Sequence, residues 1–335
     1  MKISRGGFPD MSGLSLGIDL GGTKIYAVVA DENNRVLAAA KNSTPEKASA
    51  RELALAMLAT GKEALQSMGL DLKDTAHFGA AVPSPIDPVT GEALLAVNLA
   101  EKNFSLKSCF RELTGLEEVY LENDANMGLY SEYICGNAKG SQSAVGFWIG
   151  TGLGGSILLD GKILRGNGGL AGELGHMIIK KGGRKCSCGH KGCVEAYCSK
   201  KAFIKSIRKY MEKYQYTPLL PAEKFNESTT NIKSKYLLRA YEAGDQSVIH
   251  AVDKGAWALG IAGANMCAVL SPDTIILGGG VITSLGDHFL PIFRKSFQQH
   301  LFAANSSFVK VKSAANGDDS VALGAAIFAR NRGEY

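Results

Sequence analysis

With 335 residues, 37 Lys plus Arg against 32 Asp plus Glu, and a formal charge of +5, the chain is long enough for about two domains and only mildly basic. Its 45% hydrophobic and 21% charged content excludes disordered and collagen-like chains, and no concentrated basic stripe marks a nucleic-acid binder. No apolar run reaches the roughly 18 residues of a membrane helix, and the N-terminus lacks the apolar core of a secretory signal.

Residues 1–13 read as a flexible tail, with Met11 a second candidate start. SLGIDL (Ser15 to Leu20), a Gly21-Gly22-Thr23-Lys24 turn, IYAVVAD and RVLAAAK then predict an antiparallel meander of three strands. Apolar residues at helical spacing over 46–68 predict a helix covering one face. HFGAAVPSPID predicts a strand ending at Pro83, and EEVYLENDAN another whose polar end runs into the helical stretch MGLYSEYICG. The pattern then begins again: SAVGFWIG is a strand, GTGLGG a turn, SILLDG a strand and KILRG a short return. Two copies of strand, Gly/Thr turn, strand imply two related lobes able to grip a polyphosphate between them. A long helix from Ser247 precedes DTIILGGGVI, read as a buried strand with three glycines, and a last helix begins near Ser320.

Glycine is in excess, 40 of 335 or about 12% against a usual 7%, with only 9 prolines, which points to backbone brought close to a ligand. At Asp19-Leu20-Gly21-Gly22-Thr23-Lys24, glycines would let backbone N–H groups approach phosphate oxygens, Thr and Lys would add donors, and Asp19 could hold Mg²⁺ through water. A plain Gly-Gly hairpin would need nothing more. Gly150-Thr151-Gly152-Leu153-Gly154-Gly155 matches a dinucleotide fingerprint, but a strand follows it where that fingerprint must open a helix, so it reads as a second phosphate hairpin.

In Glu122-Asn123-Asp124-Ala125-Asn126, Asp124 could accept a proton from an alcohol and Asn123 could orient the substrate; both residue types also cap helices and need do no more. Seven cysteines are an odd number, and three of them fall between Cys186 and Cys193, which argues against a disulfide framework and for a reduced, cytoplasmic protein with one metal cluster. Cys186, Cys188 and Cys193 with turn glycines between them suit a closed structural Zn²⁺ site, with His176 as fourth ligand and His190 as its rival. Glu173 and Glu195 flank this knuckle and could accept hydrogen bonds from sugar hydroxyls. The nearby Lys180, Lys181, Arg184 and Lys185 read as a solvated face.

Together these residues resemble the ROK family (repressors, open reading frames, sugar kinases) of the actin-like ATPase superfamily, over about Leu14 to Ala329. The family's phosphate-1 motif is similar to LGIDLGGTK, its acid-bearing motif to ENDAN, phosphate-2 to GTGLGG and the adenosine turn to Gly278-Gly279-Gly280-Val281. Its zinc signature is similar to GELGH followed by C-x-C-G-x-x-G-C-x-E, at Gly172 to His176 and Cys186 to Glu195.

The resemblance implies a two-lobed actin-like, ribonuclease H-like α/β ATPase fold with a cleft between the lobes and a zinc-bound loop at 176–195. Residues 14–126 plus 314–335 would form the small lobe and 127–313 the large one. It implies ATP-dependent phosphorylation of a hexose 6-hydroxyl, glucose first, with Asp124 as catalytic base. Asn98, Asn123, Asp124, Glu173, His176 and Glu195 would contact the sugar. Asp19, Gly21, Gly22, Thr23, Lys24, Gly150, Thr151, Gly152, Gly154, Gly278, Gly279 and Gly280 would hold ATP and Mg²⁺. His176, Cys186, Cys188 and Cys193 would hold Zn²⁺. The partners implied are the sugar and ATP, with no nucleic acid and no membrane; family members are often dimers, though no feature here sets an interface. Pro83-Ser84-Pro85 stands where many family glucokinases read P-G-P, and Ala100 follows Asn98-Leu99 where Trp is frequent. These departures leave N-acetylglucosamine, N-acetylmannosamine and fructose as alternative substrates. A sugar-responsive repressor would carry a DNA-binding module before the first phosphate motif, and only about a dozen residues precede it here.

Overall fold

The computed structural model describes residues 13–94, 105–219, 232–305 and 307–335. In chain order the elements are β1 (Ser15–Leu20), β2 (Lys24–Ala30), β3 (Val36–Ser43), α1 (Ala50–Gln66), β4 (His77–Val82), α2 (Leu106–Thr114), β5 (Tyr120–Asn123) and α3 (Asp124–Cys135). Then follow β6 (Ser143–Ile149), β7 (Leu153–Leu159), β8 (Lys162–Ile163), α4 (Lys200–Tyr214), α5 (Ser234–Glu242), α6 (Gln246–Leu270), β9 (Thr274–Gly278), α7 (Gly280–His300), β10 (Lys310–Ser313) and α8 (Ser320–Arg330). No helix among the described residues is long and apolar enough to cross a membrane.

The chain forms two compact units. The first takes the described residues up to Cys135 together with Arg165–Leu170 and Asp319–Tyr335; the second takes Gly136–Leu164 and Ala171–Asp318. The division falls after α3. The cause is packing: Met127 of α3 lies against the backbone of Gly324 in α8.

Each unit holds a five-stranded mixed sheet of the same topology. In the first the order is β3-β2-β1-β4-β5, in the second β8-β7-β6-β9-β10. Three antiparallel strands are followed by two that run parallel to the first, so β1 pairs antiparallel with β2 and parallel with β4, as β6 does with β7 and β9. This is the repeat anticipated from the two Gly/Thr hairpins, completed by parallel strands that need helical crossovers.

β1 is buried along almost its whole length, as a central strand covered on both faces must be. Edge strand β3 alternates between half-buried and exposed positions. α1 opens with a capping box: the Ser49 hydroxyl accepts from the Glu52 N–H while the Glu52 carboxylate accepts from the Ser49 N–H. The core of the first unit gathers Leu16, Ile18, Met57, Phe78 and Phe110; that of the second gathers Phe147, Phe203, Phe289 and Phe293.

α8 lies directly on strand backbone because Gly17 lacks a side chain. A Cβ there would stand 1.9 Å from the Ala322 carbonyl oxygen and 2.6 Å from the Ala326 nitrogen. Neither atom can move without shifting the helix. Gly17→Ala is therefore expected to cost about 3 kcal/mol, the upper range for overpacking, visible as a lowered midpoint in thermal or denaturant unfolding. An unchanged midpoint would refute this packing.

One predicted element ends differently. The strand read through DTIILGGGVI stops at Gly278, because Gly279 sits at φ +84° and the chain turns into α7 at Gly280. Only glycine adopts that angle without strain, and a Cβ would also meet the Ile149 backbone at 2.7–2.8 Å.

Candidate functional site

In the first unit the phosphate-1 hairpin is closed by the Gly21 N–H donating to the Lys24 carbonyl at 2.8 Å, and the Thr44 hydroxyl donates to the Gly21 carbonyl. The Gly21 N–H is thus committed to the turn, which leaves Gly22 and Thr23 exposed at its tip. Lys24 lies over the Tyr26 ring, and the Tyr26 hydroxyl donates to Asp319. Asp19 is half-buried near the end of β1, opposite Tyr26 in the ladder.

At the end of β5 the Asn123 side-chain oxygen accepts from the backbone N–H groups of Ala125 and Asn126 at 3.0 and 3.2 Å, so Asn123 caps α3. Its amide nitrogen donates to the carbonyl of buried Ser84 at 3.4 Å, which ties the Pro83-Ser84-Pro85 departure directly to this residue. Asp124 is the first residue of α3, half-buried, with one carboxylate oxygen accepting from the Ala125 N–H. The positive end of the helix complements a carboxylate there. Asn98 lies outside the described residues.

Two residues that sequence reasoning assigned no role hold this turn in place. Glu122 is buried, and its carboxylate accepts from the Asn123 N–H at 2.8 Å and the Asn126 amide at 3.0 Å. Its second oxygen receives Arg165 Nε at 2.8 Å and a terminal guanidinium nitrogen at 2.7 Å. The guanidinium is covered by the rings of Tyr335 and Phe328. A glutamate next to Leu121 in the short strand β5 was the available signal, since a buried charge must find a partner. Nothing in the spacing pointed to Arg165.

In the second unit the phosphate-2 turn is fastened from several sides. The Gly150 N–H donates to the Gly152 carbonyl, and the Lys200 N–H at the start of α4 donates to the Gly150 carbonyl. The GELGH segment packs on this hairpin backbone to backbone: a Cβ on Gly175 would stand 2.2 Å from the Leu153 carbonyl, and one on Gly155 would stand 2.5 Å from the Gly172 carbonyl. Part of the glycine excess therefore serves close packing within the protein. Gly154 lies in β7 opposite Trp148, and Thr151 is half-buried at the turn.

The knuckle brings His176, Cys186, Cys188 and Cys193 together, their donor atoms within 4.8 Å of one another. Cys188 Sγ and Cys193 Sγ are 3.6 Å apart, as are Cys186 Sγ and His176 Nδ1. A tetrahedral zinc with Zn–S near 2.3 Å has ligand edges of about 3.8 Å, so the donor set fits. Burial and the neighbouring Cys188 and Cys186 push the Cys193 thiol up to about 12, so a thiolate there calls for a cation. His190 approaches Cys188 alone, at 3.7 Å, and the grouping favours His176 as fourth donor. The other His176 ring nitrogen, Nε2, lies 3.8 Å from the exposed Glu173 carboxylate.

Glu195 joins the two motifs of this unit. One carboxylate oxygen accepts from the Leu153 N–H of the phosphate-2 hairpin at 3.1 Å; the other accepts from the Ser187 hydroxyl at 2.9 Å and lies 3.8 Å from Cys186 Sγ.

Two copies of one α/β sheet, each with a Gly/Thr hairpin, and a Cys₃His knuckle beside the second hairpin define a class of repeated two-unit α/β folds. A model of the ROK family matches residues 15–332, and the chain belongs to that family. It is 32% identical to a glucokinase of Halalkalibacterium halodurans over 75% of each chain. A ROK family glucokinase from Streptomyces griseus, solved in complex with glucose and AMPPNP, is 31% identical and superposes with a TM-score of 0.83 over 95% of this chain and all of that one. A xylose repressor of Caldicellulosiruptor bescii is 30% identical over 74% of this chain and 60% of its own.

Proposed function

We propose that the protein transfers the γ-phosphoryl group of ATP to the 6-hydroxyl of a hexose, with glucose the first substrate. The observation that carries this reading is the Glu195 carboxylate, which links the phosphate-2 hairpin to the knuckle bearing His176 and Glu173. One rigid support would then order groups for the nucleotide and groups for the sugar. The likeness to glucokinases supports the same reading.

In this reading Asp124 takes the hydroxyl proton as the sugar oxygen attacks phosphorus. Asn123 orients the hydroxyl, while Glu173, His176 and Glu195 accept or donate hydrogen bonds to the remaining sugar hydroxyls; Asn98 belongs to the same proposed set. Gly22, Thr23 and Lys24, with Thr151, Gly152 and Gly154, bind the phosphates, while Gly21 and Gly150, whose N–H groups are committed within their turns, shape the two hairpins. Gly278, Gly279 and Gly280 receive the adenosine, and Asp19 is the residue that would hold Mg²⁺. Bound Mg²⁺ supplies positive charge against the transferring phosphoryl group. His176, Cys186, Cys188 and Cys193 hold a structural Zn²⁺, which fixes the loop and the His176 tautomer. The protein is read as a cytoplasmic enzyme of carbohydrate metabolism.

An ADP-release assay over glucose, N-acetylglucosamine, N-acetylmannosamine, mannose and fructose tests the proposal. Glucose should show the highest kcat/KM, and a preference for an N-acetylhexosamine would overturn the substrate. The repressor likeness favours a second reading, a sugar-responsive regulator without catalysis, and absence of turnover on every sugar would select it.

Cys186→Ser should abolish zinc retention by elemental analysis and raise the glucose KM, because the loop bearing Glu195 loses its anchor. Unchanged zinc content would refute this ligand set.

A further inference from the structure

Lys180 and Arg184, read from the sequence as part of a solvated face, instead line a cavity of about 560 Å³ in the second unit. Lys209 and Lys213 reach it from α4, and His250 and Lys254 from α6, each pair one helical turn apart. Tyr210 and Tyr214 form part of its wall, and among the described residues no Asp or Glu lines it.

Arg184 is held in place without an acidic partner among the described residues. Its guanidinium lies over the Tyr197 ring and donates to the Ala196 carbonyl and the Ser206 hydroxyl, at 3.3 and 3.2 Å. Among the described residues no salt bridge involves any of the five Lys and Arg side chains of the cavity. Burial, then the charges of Arg184, Lys180, Lys209 and Lys213, holds Lys254 below the ordinary lysine range. Burial and Lys254 likewise hold His250 low, with Asp253 acting in the opposite sense while it accepts from the Tyr241 hydroxyl. Cations that repel one another in a concave, half-dry site are stabilised by a multivalent anion.

We infer that this cavity binds a small phosphate-bearing polyanion, held by Arg184 and the lysines of α4 and α6, at a site separate from the residues assigned above to ATP and sugar. The size suits a small molecule. A long nucleic acid would instead want an open stripe of charge. Phosphates of either inorganic or sugar-phosphate origin have the required chemistry.

The test is calorimetric titration of the full-length protein with inorganic tripolyphosphate and, separately, fructose 1,6-bisphosphate; the tighter of the two names the source. The expected result is a binding step that weakens by about tenfold or more in Lys209→Ala/Lys213→Ala/Lys254→Ala and persists in Thr151→Val, the variant in the phosphate-2 turn. Glucose kcat and KM should hold in the triple variant. The three lysines are exposed, so its circular dichroism and unfolding midpoint should match the parent, and the single charge reversal Lys209→Glu should weaken the same step if the triple variant misfolds. Absence of binding by both compounds, binding unchanged in the lysine variants, or tighter binding of a short single-stranded DNA would overturn the inference.

Discussion

Asp124→Asn is expected to lower kcat by about two to four powers of ten while leaving the affinity for sugar near its original value. The amide keeps the size of the carboxylate, and its oxygen can still accept the Ala125 N–H that Asp124 accepts at 2.8 Å. Asn is also well tolerated at a helix N-terminus, so α3 should remain intact. What the substitution removes is the ability to take a proton. Without that step the sugar oxygen must attack phosphorus as a neutral alcohol, and positioning and electrostatics alone carry the residual rate. Steady-state kinetics with sugar binding measured separately would check this. A kcat near that of the parent would show that Asp124 only places a negative charge at the N-terminus of α3 and is not the base.

Arg165→Met should destabilise the fold by about 3–5 kcal/mol, because it leaves the Glu122 carboxylate buried without its cation. The side chain of Glu122 is only 2% exposed. Methionine preserves much of the volume beneath Tyr335 and Phe328, so the loss would report the charge more than the packing. Glu122 also holds the Asn123 backbone and the Asn126 side chain, so kcat should fall in the surviving folded protein. Combining Arg165→Met with Glu122→Gln removes both charges and should recover part of the stability, the nonadditivity expected of directly coupled groups. Urea unfolding of the four proteins measures it. Additive losses would show that the two side chains do not act as a pair.

The two predictions differ in how far they could be read from the chain alone. Asp124 stands out because ENDAN closes a strand and opens a helix within a few residues, a pattern visible in the sequence. The same holds for the Gly/Thr hairpins and for Cys186, Cys188 and Cys193, whose spacing in a glycine-containing turn brings the thiols together locally. α2, α4, α5, α7 and β10 were not among the predicted elements. In α4 the lysines interrupt the apolar spacing of Phe203, Ile204 and Ile207, and the four residues of β10 become a strand only by pairing with β9.

The sequence by itself determined the repeated strand–hairpin–strand plan, the cysteine knuckle and the carboxylate at the start of α3, because each depends on neighbours in the chain. Only the tertiary structure decided that Glu122 meets Arg165, 43 residues away, and that Glu195 meets the Leu153 amide, 42 residues away. It also decided that lysines from a loop and two helices converge on one cavity. A buried charge signals in the sequence that it needs a partner; which residue answers is set by how the helices and sheets pack, and spacing along the chain carries no record of that.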